Sequence, residues 1–120
     1  MTEKAGEPED NHVLLRGRVT KVPADRKLPS GTTITTFRVS VPRARTVMTA
    51  GSRQAADWVD CTAWTAVLRR RVAGWQVGDP VEVTGSLRRR FYPAGTAAGT
   101  RLEVEVLAAR RTPVTRGSAS

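Results

Sequence analysis

The sequence has almost none of the residues that build catalytic centres, metal sites and disulfide frameworks. Cysteine and histidine occur once each among its 120 residues, as Cys61 and His12. A single cysteine excludes an internal disulfide, which is typical of proteins in a reducing compartment. His12 has no cysteine or carboxylate at a spacing typical of a metal site or a catalytic triad, and no phosphate-cradling glycine loop is present. These absences predict a binding protein without metal or cofactor rather than an enzyme.

Long apolar runs are also absent. No segment is long enough for a membrane span or for the apolar part of a signal peptide, and the first residues are acidic and polar. We therefore expect a soluble cytoplasmic protein that does not contact a membrane. Cys61 itself is expected to be a small buried apolar residue rather than a reactive thiol.

Acidic residues are scarce and unevenly placed. Eleven Asp and Glu stand against twenty Lys and Arg, so the net charge is +9. The net charge of residues 1–10 is −3, so the other 110 residues carry a net charge of +12. Such an excess suits a polyanion such as nucleic acid or an anionic membrane surface, although a basic surface can also serve solubility alone. The composition predicts a disordered acidic arm at 1–11, one domain at 12–110 and a disordered basic tail at 111–120.

Alternation of apolar and polar residues predicts five strands. The first begins near His12 and is closed by Pro23, and a turn over 24–33 leads to a second that contains Phe37 and ends at Pro42. Residues 43–56 are expected to form a long, mobile, positively charged loop. The third strand covers 58–64, the fourth 81–90 and the fifth 102–106, with a glycine-rich hairpin tip at 93–99.

The segment 65–75 changes to helical spacing. Leu68, Val72 and Trp75 form an apolar stripe, which predicts one short amphipathic helix ended by Gly78 and Pro80. Five strands with one short helix between the third and fourth is the order of the OB-fold, an all-β Greek-key barrel. An SH3-like barrel lacks that helix, and an immunoglobulin-type sandwich needs about seven strands.

The third strand carries the most informative pattern. Trp58 and Trp64 have the same parity and so share one face of an extended strand, whereas Val59, Cys61 and Ala63 take the other. An isolated Trp is more often a core or subunit-interface residue. The polar residues on the tryptophan face favour exposure instead, and the flat partner that suits exposed indoles in a basic protein is an unstacked nucleobase.

Arginines accompany these tryptophans. Strand parity places five of them on the same outer face, where they can contact phosphates: Arg16, Arg18, Arg38, Arg88 and Arg90. Parity points Arg89 and Phe91 inward unless the strand has already curled away there, and the three arginines at 69–71 are expected to form a solvated helix face. Trp75 belongs to the helix stripe and is expected to serve packing.

The order of these segments resembles the bacterial single-stranded DNA-binding proteins. The likeness covers residues 11–110, beginning with the stretch 11–20 and continuing through 29–31 and the Phe37 strand. It is strongest at 57–58 and 61–64 and returns at 77–79 and 85–88. The resemblance implies that Trp58 and Trp64 stack on bases, with Tyr92 as a third stacking aromatic. Some members have a further aromatic where this chain has 42–45, and Arg43 and Arg45 could stack there through their guanidinium planes.

The resemblance also implies a role and an assembly. Members bind single-stranded DNA without strong sequence preference during replication, repair or recombination, so we expect a cytoplasmic, nucleoid-associated protein. They form homotetramers, although the sequence leaves a dimer open. Residues 116–120 lack the acidic tip with which general replication members recruit other proteins, which favours a specialised paralogue. An RNA-binding OB module and a primosomal replication-restart scaffold remain alternatives.

Overall fold

Five strands and one helix make up the regular structure of the chain. The computed structural model describes residues 10–91 and 99–113. Its elements are β1 (Val13–Lys27), β2 (Thr33–Pro42), β3 (Ala56–Ala63), α1 (Ala66–Val72), β4 (Pro80–Phe91) and β5 (Thr100–Arg111). The strands close into a barrel in the order β1-β2-β3-β5-β4, in which β3 and β5 are parallel and the other neighbours antiparallel. The predicted OB-fold, with its one helix between the third and fourth strands, is confirmed.

The core follows from the alternation of side chains along the strands. The inward residues are small or branched, and those buried in one cluster include Val19, Phe37, Val39, Cys61, Ala63, Val83, Val104 and Val106. Helix α1 begins after Thr65, whose side chain caps it by accepting a hydrogen bond from the backbone N–H of Leu68 at 3.1 Å. Val72 and Trp75 are buried in the same cluster, and the Trp75 ring meets Phe37 edge-on at 5.3 Å between centroids. The predicted packing role of Trp75 is therefore confirmed.

Strand β1 closes the barrel by pairing on both sides. It pairs with β4 up to Arg18 and with β2 from Arg18 onward. The change of partner needs a close approach at Gly17, where a Cβ atom would collide with the carbonyl oxygen of Ser40. The predicted bend at Gly17 is thus explained by contact with β2.

Pro23 does not end the first strand, so that prediction was wrong. Strand β1 continues to Lys27, and its pairing with β2 shifts register on either side of Lys21. Proline is tolerated at such irregularities because the ladder there requires no N–H from it. The longer strand pairs Lys21 and Arg26 with β2. A turn had been expected at Arg26.

The β4–β5 hairpin extends beyond the barrel. Strand β5 pairs with β3 only at Cys61 and Thr62, so the residues before Val104 have no backbone partner in β3. Leu87 has the parity of the inward residues of β4, yet it is consequently 42% exposed. Ile34 has the outward parity of Arg38 and Ser40 in β2, yet it is fully buried.

The edges of the predicted domain are hydrogen-bonded. The Asn11 side chain donates to the backbone oxygen of Leu87 at 2.9 Å and accepts from its N–H at 2.8 Å. At the other end, Arg111 contacts Asp79 at 3.1 Å and the backbone oxygen of Gly74 at 2.6 Å. Residues 1–9, 92–98 and 114–120, which include most of the predicted arm, hairpin tip and tail and also Tyr92, lie outside the described residues.

Candidate nucleic-acid interface

Trp58 lies open on the outer face of β3. Its side chain is 60% exposed, and its backbone is in register with Ser40 of β2. The guanidinium carbon of Arg38 stands 4.0 Å from the centroid of the indole ring, within the range of a cation–π contact. Arg38 is held there by its Nε, which donates to Oδ1 of Asp60 at 2.9 Å. Asp60 therefore fixes a cation against the indole, and most of the ring remains accessible.

Trp64 is held by a similar arrangement at the end of the same strand. Strand β3 ends at Ala63, so Trp64 follows it directly and is 36% exposed. The guanidinium carbon of Arg90 is 5.6 Å from its ring centroid, and Nε of Arg90 lies 2.8 Å from a carboxylate oxygen of Glu103. Glu103 also accepts a hydrogen bond from the Thr62 hydroxyl at 3.0 Å.

The outer face between the two indoles is not uniformly open, contrary to the simple parity pattern. Thr62 and Glu103 were predicted to point outward, yet they are 1% and 3% exposed. They bond to each other across the parallel β3–β5 pair, and Arg90 lies against Glu103. This hydrogen-bonded layer supports Arg90 from below and leaves the indoles as the accessible apolar surface.

A groove crosses β2 and β3 from Trp58 to Arg90, the arginine that contacts Trp64. Its central cavity has a volume of about 110 Å³ and is lined by cations that include Lys21, Arg26, Arg38 and Arg90. Two carboxylates also line it, Asp60 beside Arg38 and Glu103 beside Arg90. A shallower cavity of about 390 Å³ shares Lys21 and Arg38 with it and reaches Trp58. The track from Trp58 to Arg90 is therefore continuous, and we call it the indole groove.

The remaining predicted arginines lie around this groove rather than in it. Arg18 is in register with Ser40, and Ser40 with Trp58, so the three form a row across β1, β2 and β3. Arg18 also donates to the backbone oxygen of Gly78 at 2.8 Å. Arg16 and Arg18 line a separate cleft beside Ser40.

Two of these arginines, Arg16 and Arg88, are held by carboxylates. Arg16 contacts Glu82 at 2.7 Å on the β1–β4 side of the barrel, and Arg88 contacts Glu105 at 3.0 Å. Hydrogen bonds from Arg16 and then from Arg110 lower the pKa of Glu82 from its ordinary value. Parity thus assigned Arg16 and Arg88 to the outer face correctly, but the structure does not place them in the indole groove.

The loop after β2 carries Arg43 and Arg45. Arg43 contacts Asp57 at 3.0 Å, and its backbone N–H donates to the carbonyl of Ala55 at 2.9 Å, which closes the base of the loop. Arg45 is exposed next to a turn in which the backbone N–H of Thr46 donates to the side chain of Thr49. The predicted long loop between β2 and β3 is therefore present, with a hydrogen-bonded turn inside it and Arg43 tied beside β3.

Sequence reasoning missed three cations that line the groove: Lys21, Arg26 and Arg101. Arg26 was missed because Pro23 had been taken as the end of β1, and Lys21 because it has the parity of the inward residues, which the register shifts on either side of it override. Arg101 pairs in register with Arg90, one residue before the predicted start of the fifth strand. Extending the antiparallel pairing of β4 and β5 as far as Arg90 would have placed Arg101 opposite it.

Cys61 lies directly beneath this surface and serves packing. It is fully buried, and burial raises the pKa of its thiol to about 12, with the negative charges of Asp60 and Glu103 adding to the effect. Among residues 10–91 and 99–113, no group of three or more His, Cys, Asp or Glu side chains could hold a metal ion. In the same ranges no helix has the length and apolar character needed to cross a membrane.

Comparisons with known proteins identify relatives of this chain. A family model described as the single-strand binding protein family matches residues 10–112. Single-stranded DNA-binding protein A of Bacillus subtilis is 34% identical over 82 residues, which cover 68% of this chain and 46% of that protein. The single-stranded DNA-binding protein of Bacillus cereus is 35% identical over 82 residues, covering 68% of this chain and 47% of that protein. The chain spans about half the length of these relatives.

Solved structures show the same barrel. The Plasmodium falciparum SSB complex with ssDNA has a TM-score of 0.71 at 20% identity and covers 89% of this chain and 98% of that one. A deletion mutant of the single-stranded DNA-binding protein from Thermus aquaticus has a TM-score of 0.64 at 22% identity, over 88% of this chain and 42% of that one. The fold and the family model that spans most of the sequence lead to one identification. The chain belongs to the single-strand binding protein family.

Proposed function

We propose that this protein binds single-stranded DNA, without strong sequence preference and without catalysing a reaction, along the indole groove. The observation that carries the proposal is the pair of accessible indoles: Trp58 lines a cation-rich groove, and Trp64 contacts Arg90 at the other end of it. The names of its relatives, which are single-stranded DNA-binding proteins, support the same ligand.

Stacking supplies the sequence-independent part of the affinity. An aromatic platform that covers one face of an unpaired base contributes roughly 1–3 kcal/mol, with little dependence on which base it is. Arg38 covers part of one face of Trp58, so a base would stack on the exposed remainder of the ring. Duplex DNA keeps its base faces inside the helix, so the same platforms would discriminate against it by geometry.

Cations supply the salt-dependent part. Neutralising phosphates of a single strand releases counterions, and log K falls with log salt at a slope of about −0.7 per phosphate. Lys21, Arg26, Arg38 and Arg90 line the groove between the indoles and would contact these phosphates. Tyr92 would add a third platform just past β4, and Arg18, Arg43 and Arg45 would contact the strand at the margins of the groove.

The cellular role follows from the ligand. Protein bound along the strand would protect it during replication, repair or recombination in the cytoplasm, at the nucleoid. Assembly as a homotetramer, with a dimer as the smaller form, would let one strand pass over several barrels.

The test is a titration of fluorescently labelled oligo-dT, followed by anisotropy, with unlabelled competitors. We expect saturable binding that unlabelled oligo-dT displaces and that duplex DNA of the same length does not. A matching RNA should displace the probe less well than the DNA. RNA competing as well as or better than oligo-dT would replace the proposal with RNA binding, and no binding at low salt would favour a protein-scaffold role.

A further inference from the structure

The indole groove continues into a second cleft at one end of the barrel. This cleft, of about 460 Å³, lies between the turn that follows β1 and the last residues of β4. Arg26 and Arg90 line both the central cavity and this cleft, so the two spaces share a wall. The other lining residues include Lys27, Leu28 and Phe91. We call it the turn cleft.

Phe91 gives the turn cleft an aromatic surface. It is the last residue of β4 and is 76% exposed, more than either Trp58 or Trp64. Parity had predicted that it points inward. Because the β4–β5 hairpin extends past the barrel, no core lies beneath this part of the inward face, as the exposure of Leu102 also shows. The ring is therefore available to a ligand rather than used in packing.

In the described part of the chain, three cations line the turn cleft, and only Arg90 is paired with a carboxylate, that of Glu103. Arg26 and Lys27 are exposed, and neither has an ion-pair partner among the residues that the structure describes. An exposed cation without a carboxylate is free to neutralise a phosphate and release its counterion. The cleft thus combines a flat apolar ring with two available positive charges.

We propose that the turn cleft is a further stacking station, in which Phe91 binds one base of the strand and Arg26 and Lys27 bind its neighbouring phosphates. The ligand is an unpaired nucleotide continuous with the strand in the indole groove, so this inference rests on the proposed function. It lengthens the path from Trp58 through Trp64 and Arg90 to the end of the hairpin. A short oligonucleotide would fill the indole groove alone, and only a longer one would reach Phe91.

The experiment measures affinity for an oligo-dT ladder of about 4 to 16 nucleotides, the range that one OB barrel occupies. The wild type is compared with Phe91→Ala, Phe91→Trp and the control Leu102→Ala, which removes an exposed apolar side chain from the same hairpin. We expect Phe91→Ala to weaken binding of the longest oligonucleotides about tenfold and of the shortest not at all. Phe91→Trp should restore the long-oligonucleotide affinity, and Leu102→Ala should match the wild type at every length.

Three outcomes would overturn the inference. Equal affinity of Phe91→Ala and wild type at every length would remove Phe91 from the path while leaving the indole groove as the binding site. An equal loss at all lengths that Phe91→Trp does not restore would assign the effect to folding of the hairpin. Failure of the wild type to bind any member of the ladder would remove the proposed function together with this inference.

Discussion

The arginines that lie against the two indoles differ from Arg26 and Lys27 of the turn cleft in how they are held. Around the indoles, Arg38 and Arg90 each lie within 3 Å of a carboxylate, at 2.9 Å from Asp60 and 2.8 Å from Glu103. In the turn cleft, Arg26 and Lys27 have no such partner in the described part of the chain. A paired arginine is positioned against a ring, whereas an unpaired cation is available for a phosphate.

The difference shows that net charge alone does not identify the phosphate-binding residues. Arg16, Arg88 and Arg43 are also paired, with Glu82, Glu105 and Asp57. Such pairs leave fewer arginines available to phosphates, although the net charge of +9 already counts their carboxylates. Variants that remove the rings, the buried carboxylate or the individual cations test this difference.

The largest effect is expected from removing both platforms of the indole groove. Trp58→Ala and Trp64→Ala should each weaken oligo-dT binding by roughly 1–3 kcal/mol, and the double variant by roughly the sum, because each ring covers a separate base. Anisotropy titration at one fixed salt concentration measures this. Since both rings are exposed, the midpoint temperature of thermal unfolding of each variant should stay near that of the wild type. Unchanged affinity in the folded double variant would assign both indoles to another role.

The next effect concerns the buried carboxylate that positions Arg90. Glu103→Gln removes the charge from a pair whose side chains are 4% and 19% exposed, so we expect a loss of about 3 kcal/mol in the free energy of unfolding. Glu105→Gln is the matched control, because its pair with Arg88 is 32% and 54% exposed and is worth about 0.2–1 kcal/mol. Urea unfolding measures both. Equal losses in the two variants would contradict the structural role of Glu103.

A smaller effect separates paired from unpaired cations by salt dependence. Lys21 and Arg38 line the same cavity, but only Arg38 lies on a carboxylate. Lys21→Gln should reduce the slope of log K against log salt by about 0.7, and Arg38→Gln by clearly less, because Asp60 already neutralises part of its charge. Titrations at several salt concentrations give both slopes. A larger reduction for Arg38→Gln would show that the pair opens when DNA binds.

The smallest effect lies outside the groove, at Glu82. Arg16 and Arg110 lower the pKa of this carboxyl, so its contribution to stability is present above its ordinary pKa and is lost as pH falls through the lowered value. The midpoint temperature of thermal unfolding of Glu82→Gln should therefore lie slightly below that of the wild type at neutral pH, and the two temperatures should converge in acid. A constant difference at all pH values would show that the charge of Glu82 is not involved.

Local patterns predicted much of the fold and part of the site. Strand parity is a property of neighbouring residues, so it placed Trp58 on the outer face and Cys61 in the core without knowledge of the partner strands. Helical spacing likewise predicted the burial of Val72 and Trp75. The resemblance added Tyr92, which lies outside the described residues and remains a prediction.

The remaining features depend on residues far apart in the sequence. Thr62 and Glu103 are 41 positions apart, and their burial arises only when β3 and β5 pair in parallel. The irregular stretch around Pro23 depends on its register with β2, so a local reading ended the strand there and missed Arg26. The exposure of Phe91 depends on how far the hairpin extends past the barrel, which strand alternation does not reveal.

The most direct test of the central claim is intrinsic tryptophan fluorescence during an oligo-dT titration. The wild type is compared with a variant carrying Trp58→Phe and Trp64→Phe, in which the only tryptophan is Trp75, buried against Phe37. Stacking on the exposed indoles predicts strong quenching in the wild type and almost none in the variant, even where anisotropy shows that DNA is bound. Equal quenching in the two proteins would contradict the account.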